Sequence, residues 1–299
     1  MMAIKKLIPN LFTAGNLVGG ILAIIFTLNG NIFLAPFCIF ASAIFDFLDG
    51  FVARLLKVQG ELGKQLDSLA DMVTFGVAPG IIIYQIALNN LRMKSLGEFN
   101  EINDSNMLSD FIYTIQEANN NNFGLFETHF HINDAVVGTE VLDQTGGGFL
   151  YSSLVPFIAF LIPIFALFRL AKFNLDTRQS DSFIGLPTPA MTIFVAALPL
   201  MIWTADSEWQ NLALEYAVFN PWGLSIITIL LSVLMVVELP LFALKIKNFK
   251  WKGNEIRYIF LTISLILLIT LLWWALPLII ILYVVLSLLV KPKKNEIQS

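Results

Sequence analysis

DFLDGFVARLLKVQGELGKQLDSLAD, residues 46–71, sets four aspartates in two pairs between stretches as apolar as hydrocarbon. Asp46 and Asp49 are three residues apart, and Asp67 and Asp71 are four apart, so each pair shares one face of a helix. Between them, KVQGELGK (57–64), with Gly60 and Gly63, has the composition of a turn. The two pairs are therefore expected to face each other across a helical hairpin. Four carboxylates brought together repel one another unless cations lie between them. Hard divalent cations that prefer oxygen ligands, Mg2+ or Mn2+, are the matching partners.

The surroundings say what kind of hairpin this is. Of 299 residues, 57% are hydrophobic and 13% charged, against about 25% charged in soluble domains. The expected fold class is all-α, a polytopic membrane helix bundle. At 1.5 Å per residue a span needs about 20 apolar residues. Residues 11–28, 32–51, 69–88, 149–168, 186–205 and 222–244 meet that need, and the first is expected to be a span rather than a cleaved leader. Residues 258–290 carry no charge and are too long for one span. Trp273, Trp274 and Pro277 suggest a turn at the interface, giving two helices of about 24 Å each, a little short. The organisation expected is 1–88 with the aspartate motif, a loop at 89–148, helices at 149–244, and a hairpin with a basic tail at 245–299: eight spans in all.

Charge placement agrees with eight spans. With the N-terminus inside, 16 of the 18 basic residues fall on the inner side and only Arg92 and Lys94 outside. Both chain ends and the aspartates are then cytoplasmic. The loop at 89–148 maps outside. Its histidines, His129 and His131, lack further ligands at metal-binding spacing. NDS at 103–105 has the form of a glycosylation sequon. The single cysteine, Cys38, allows no disulfide within the chain. There is no internal repeat and no nucleic-acid-binding module.

Carboxylates at the membrane are functional candidates by default. Gly50 and Ala53, small residues beside the first pair, let a ligand or a second helix approach closely. Arg54 follows, suited to a phosphate. An ion-coupled transporter is the rival class, but its carboxylates would lie near the bilayer midplane in repeated halves. Here they lie near one surface.

The order Asp46-x2-Asp49-Gly50-x2-Ala53-Arg54-x8-Gly63-x3-Asp67-x3-Asp71 resembles the signature of the CDP-alcohol phosphotransferases. IPNLFTAGNLVGGILA (8–23), DSLADMVTFGVAPG (67–80), FRLAKFN (168–174) and GLPTPA (185–190) resemble the membrane-embedded phosphatidylserine synthases of that family. The resemblance covers the first six helices, and the long loop looks like an insertion. It implies a six-helix core plus a C-terminal hairpin, a homodimer, and transfer of a phosphatidyl group from CDP-diacylglycerol to L-serine with release of CMP. It further implies that Asp46, Asp49, Asp67 and Asp71 hold Mg2+ or Mn2+, two ions being expected, with Asp71 also the general base. Gly50, Ala53, Arg54 and Gly63 would cradle CDP, with Asn10 and Thr13 as further contacts. Arg169 and Lys172 are candidates for the serine carboxylate, and Thr74, Phe75 and Gly76 for the acceptor pocket. Phosphatidylglycerophosphate synthase is the nearest alternative activity.

Overall fold

The structure, a computed structural model, describes residues 2–95, 155–175, 183–242, 251 and 254–289. Among the described residues the regular structure is helical, apart from one pairing of two-residue strands. Helix α1 (Met2–Leu28) and helix α2 (Ala35–Leu55) form the first hairpin. Pro36 opens α2, where a missing N–H costs no helical bond. After α2, Lys57 takes a left-handed conformation (φ 54°) and turns the chain toward Gly60, the extended residue that precedes α3.

Helix α3 (Glu61–Asp71), a π-helical turn (Met72–Val77) and α4 (Ala78–Ser95) run on as one rod. This rod starts before and ends after the expected 69–88. Its far end stays helical because Asn89 and Asn90 are buried rather than solvated, and Asn90 Nδ2 donates to the Val218 carbonyl at 2.8 Å. The helix thus covers the first residues of the loop expected from 89, as far as Ser95. The remainder of the expected loop, with His129, His131 and the sequon, lies outside the described residues.

Helix α5 (Leu161–Leu175) continues beyond the expected end at 168, which places Arg169 and Lys172 within the helix. Helix α6 (Thr188–Thr204) is buried along most of its length. Next come α7 (Glu208–Leu214), a second π-helical turn (Glu215–Phe219) and α8 (Pro221–Val236). The run Glu208–Phe219 is bent by 72° from α8. The expected span 222–244 thus ends early, at Val236. The chain then leaves the helix to pair β2 (Pro240–Leu241) with β1 (Phe183–Ile184), and Pro240 has no N–H with which to continue a helix. Gly185 (φ 75°) is required at this clip, because a Cβ there would lie 2.7 Å from the Met235 carbonyl oxygen.

Helices α9 (Glu255–Leu271) and α10 (Ala275–Leu289) flank a short 3-10 turn (Leu272–Trp274). Leu272 (φ 50°) breaks the rod. The rings of Phe260 and Tyr283 lie 5.7 Å apart, whereas an unbroken helix would separate them by about 34 Å. The segment is therefore a hairpin, as expected from the Trp pair and Pro277. Length and composition alone give five membrane-crossing segments, or six with the bent pair. Helix α6 is apolar but shorter, and the C-terminal segment enters that count once although it folds back on itself. Helices α6, α9 and α10, at 17, 17 and 15 residues, are about 22–26 Å long, short of the roughly 30 Å hydrocarbon core.

Close helix contact in lipid depends on small residues, because lipid tails are as apolar as the side chains they would replace. Gly20 of α1 is such a point. A Cβ added there would lie 2.8 Å from Thr74 Cα, a backbone atom that cannot swing aside. Gly20→Ala is expected to push α1 away from the π-helical turn and to cost about 1–3 kcal/mol. A lowered midpoint of thermal unfolding in detergent checks this.

Candidate active site

Three elements build the site. Helix α1 supplies Asn10, Thr13 and Asn16, spaced by threes. Helix α2 supplies Asp46 and Asp49, and α3 supplies Asp67 and Asp71. One carboxylate oxygen from each of Asp46, Asp49 and Asp67 lies within 4.8 Å of the others. Oxygens bound to one ion at about 2.0–2.6 Å can be at most about 5 Å apart, so this spacing suits a common ligand set. Asp67 Oδ1 is buried and has no hydrogen-bond partner among the described residues, as a metal-directed oxygen would. The donor set, all carboxylate oxygen, matches a hard divalent cation.

The neighbours of the aspartates are fixed by α1. Thr13 Oγ1 donates to Asp49 Oδ2 at 2.6 Å, and Asn16 Nδ2 donates to Asp71 Oδ1 at 3.0 Å. Asp71 lies beside Asp46 and Asp67 but outside the three-oxygen group. Asn16 was not anticipated from the sequence. The available signal was its place one turn after Thr13 on the same apolar helix, since a polar side chain there needs a partner.

A cavity of about 640 Å³ opens against Asp49 and Asp67, and neither Asp46 nor Asp71 lines it. It is lined by Asn10, Thr13, Asp49, Gly50, Ala53, Arg54, Gly63 and Asp67, together with the 58–62 turn, Pro9 and Lys64. All six residues expected to cradle CDP thus share one cavity wall with two of the aspartates. Gly50 keeps that wall open, since the nearest atom to an added Cβ would be Arg54 Nη2 at 4.0 Å.

The residues expected at the acceptor end are arranged differently. Thr74, Phe75 and Gly76 lie in the π-helical turn, buried, and none of them lines the cavity. Thr74 Oγ1 donates to the Asn16 carbonyl at 3.0 Å, and the Phe75 carbonyl accepts from Thr192 Oγ1 at 2.8 Å. A Cβ at Gly76 would meet Ala166 Cβ at 3.2 Å. The three pack the turn against α1, α5 and α6. Arg169 is buried, donates Nε to the Leu186 carbonyl at 2.6 Å, and lies 5.9 Å from the Phe173 ring centre. Lys172 instead pairs at the surface with Glu238 Oε1 at 2.6 Å. Helix α3 is tied to the end of α5 by Lys64 Nζ on the Asn174 carbonyl (3.0 Å) and by Asn174 Nδ2 on Ser68 Oγ (2.8 Å).

Exposed ion pairs contribute up to about 1 kcal/mol. Lys172→Ala is therefore expected to change the KM for an anionic acceptor by less than about fivefold. Initial-rate kinetics at varied acceptor concentration would reveal a larger role.

Residues 6–96 match the family model described as CDP-alcohol phosphatidyltransferase. The resemblance carried by the aspartate spacing is borne out over that stretch. A CDP-diacylglycerol--serine O-phosphatidyltransferase of Bacillus subtilis is 46% identical over 84 residues, 28% of this chain and 48% of that protein. A protein of the same name from Helicobacter pylori strain J99 is 29% identical over 197 residues, 65% of this chain and 58% of its own length. An archaetidylserine synthase of Methanothermobacter thermautotrophicus is 37% identical over 97 residues, 30% of this chain and 41% of its own length. The chain thus spans about half the length of the curated relatives it matches.

Proposed function

We propose that the chain is a metal-dependent membrane enzyme that transfers the phosphatidyl group of CDP-diacylglycerol to L-serine, giving phosphatidylserine and CMP. The observation that carries this reading is the single cavity wall shared by the six CDP-directed residues with Asp49 and Asp67. Serine as acceptor is supported by the names of the relatives, which specify it in both bacterial and archaeal proteins.

Asp46, Asp49 and Asp67 would hold Mg2+ or Mn2+, with Asp71 at the margin of the set. The bound ion supplies charge neutralisation for the diphosphate and for the departing CMP. Gly50, Ala53 and Gly63 let the nucleotide lie close to the backbone, and Arg54 pairs with phosphate oxygen. Asn10 and Thr13 close the wall from α1. Asp71 takes the hydroxyl proton of serine as that oxygen bonds to the diacylglycerol-bearing phosphorus. The bond from this phosphorus to the bridging oxygen breaks, and that oxygen leaves with CMP. Arg169 is the better partner for the serine carboxylate, since Lys172 is committed to Glu238. A guanidinium has five N–H donors, and the Leu186 carbonyl takes one of them.

The charge asymmetry of the sequence supports a cytoplasmic site with both chain ends on that side. A homodimer is expected from the family resemblance. The test is CMP release from CDP-diacylglycerol with purified protein, Mn2+ and one acceptor at a time. Release with serine and not with glycerol 3-phosphate supports the reading. Release with glycerol 3-phosphate alone would make the protein a phosphatidylglycerophosphate synthase. Ion-driven solute flux in liposomes without CMP release would make it a transporter.

A further inference from the structure

Asn16 is completely buried in α1, yet packing does not account for it. Its side-chain nitrogen donates to Asp71 Oδ1 at 3.0 Å, and its main-chain oxygen accepts from Thr74 Oγ1 at 3.0 Å. Asp71 and Thr74 bracket the start of the π-helical turn, so one residue of α1 grips the acidic helix on both sides of the point where its register changes. π-helical turns often accompany functional sites.

The amide is oriented by chemistry. A general base must be ionised to take a proton, and an ionised carboxylate only accepts hydrogen bonds, so the nitrogen of Asn16 faces Asp71. That choice leaves Asn16 Oδ1 buried without a hydrogen-bond partner among the described residues, an arrangement that costs free energy. A residue retained only to fill space would avoid that cost, since an apolar side chain of the same shape has no such oxygen. A neutral donor also steadies the carboxylate without cancelling its charge, as a lysine or arginine at this position would.

We propose that Asn16 is a positioning residue for Asp71. Its amide fixes the rotation of the carboxylate, holding one oxygen against α1 and turning the other toward the acceptor hydroxyl. The inference rests on Asp71 acting as the base.

Asn16→Leu keeps the branched outline of the side chain, with somewhat more bulk, and removes the donor, while Asn16→Ala removes both outline and donor. Each variant is purified beside the unaltered protein and Asp71→Asn, and CMP release is followed with CDP-diacylglycerol, serine and saturating Mn2+. Loss of an outer-shell partner that orients a metal-site side chain typically costs about 10–100-fold in affinity or activity, and kcat is expected to fall by a factor of that order in both Asn16 variants. The KM for CDP-diacylglycerol should stay within about threefold and the thermal midpoint nearly constant. A packing role predicts the reverse: Ala is the worse of the two, unfolding shifts, and Leu is active. The inference is overturned if Asn16→Leu keeps kcat within about threefold of the unaltered protein, or if the loss lies in KM or unfolding alone. Should the Leu variant fail to fold, the Ala variant decides by the same split. Normal turnover in Asp71→Asn would remove the base and this inference together. An inactive Asp71→Asn with an active Asn16→Leu would sink the inference alone.

Discussion

Asp71→Asn is expected to stop CMP release while leaving CDP-diacylglycerol bound. General-base catalysis contributes about 10²–10⁴-fold to a rate, and the substitution removes the proton acceptor without changing the shape of the side chain. The geometry favours a specific effect. The three oxygens that fit a common ion come from Asp46, Asp49 and Asp67, whereas Asp71 Oδ1 is engaged by Asn16. Deleting the charge of Asp71 should therefore reach the acceptor more than the nucleotide. Two measurements separate these effects: CMP release with serine, and Mn2+-dependent protection by CDP-diacylglycerol against thermal unfolding. Near-normal turnover would rule out Asp71 as the base. Loss of protection together with turnover would make it a metal ligand first.

The division of labour among the four acids was only half legible in the sequence. Spacing by three and by four predicts faces, and faces predict that the pairs converge, because helix periodicity is a local property. The cavity wall was legible in part: Gly50 and Ala53 differ from their neighbours by lacking bulk, which needs no tertiary knowledge to notice, whereas Gly63 reads locally as a turn residue and joined the wall only through the family resemblance. The face occupied by Thr74, Phe75 and Gly76 was not legible, because a π-helical turn advances the backbone differently from an α-helix and cannot be counted from Asp71 at 3.6 residues per turn. Asn16 was missed because its importance is a contact 55 residues away in the chain. The end of α4 was missed because Asn89 and Asn90 look like loop residues until the Val218 carbonyl is placed against them.

Asp67→Asn is expected to act through the metal and to differ in kind from the loss of the base. Asp67 Oδ1 is the buried carboxylate oxygen of the set that lacks a hydrogen-bond partner among the described residues, so nothing in the protein compensates for it. An amide keeps the shape, loses the charge, and can turn an N–H toward the ion. Outer-shell changes alone cost about 10–100-fold in metal affinity, and loss of a direct ligand should exceed that. The Mn2+ concentration for half-maximal CMP release should rise by more than about 100-fold. Some turnover should return at high Mn2+, which Asp71→Asn would not permit. Thr13→Val, which removes the 2.6 Å hydrogen bond to Asp49 Oδ2, should give a milder shift of about 10-fold in the same direction. Chelation should silence the unaltered protein, with recovery on adding Mn2+ or Mg2+. An Asp67→Asn protein with an unchanged Mn2+ midpoint would exclude Asp67 from the ligand set. The three-carboxylate cluster would then be a set of helix ends rather than a metal centre. That outcome would leave the base assignment standing, because Asn16 of α1 holds Asp71 Oδ1 whether or not an ion binds the other three.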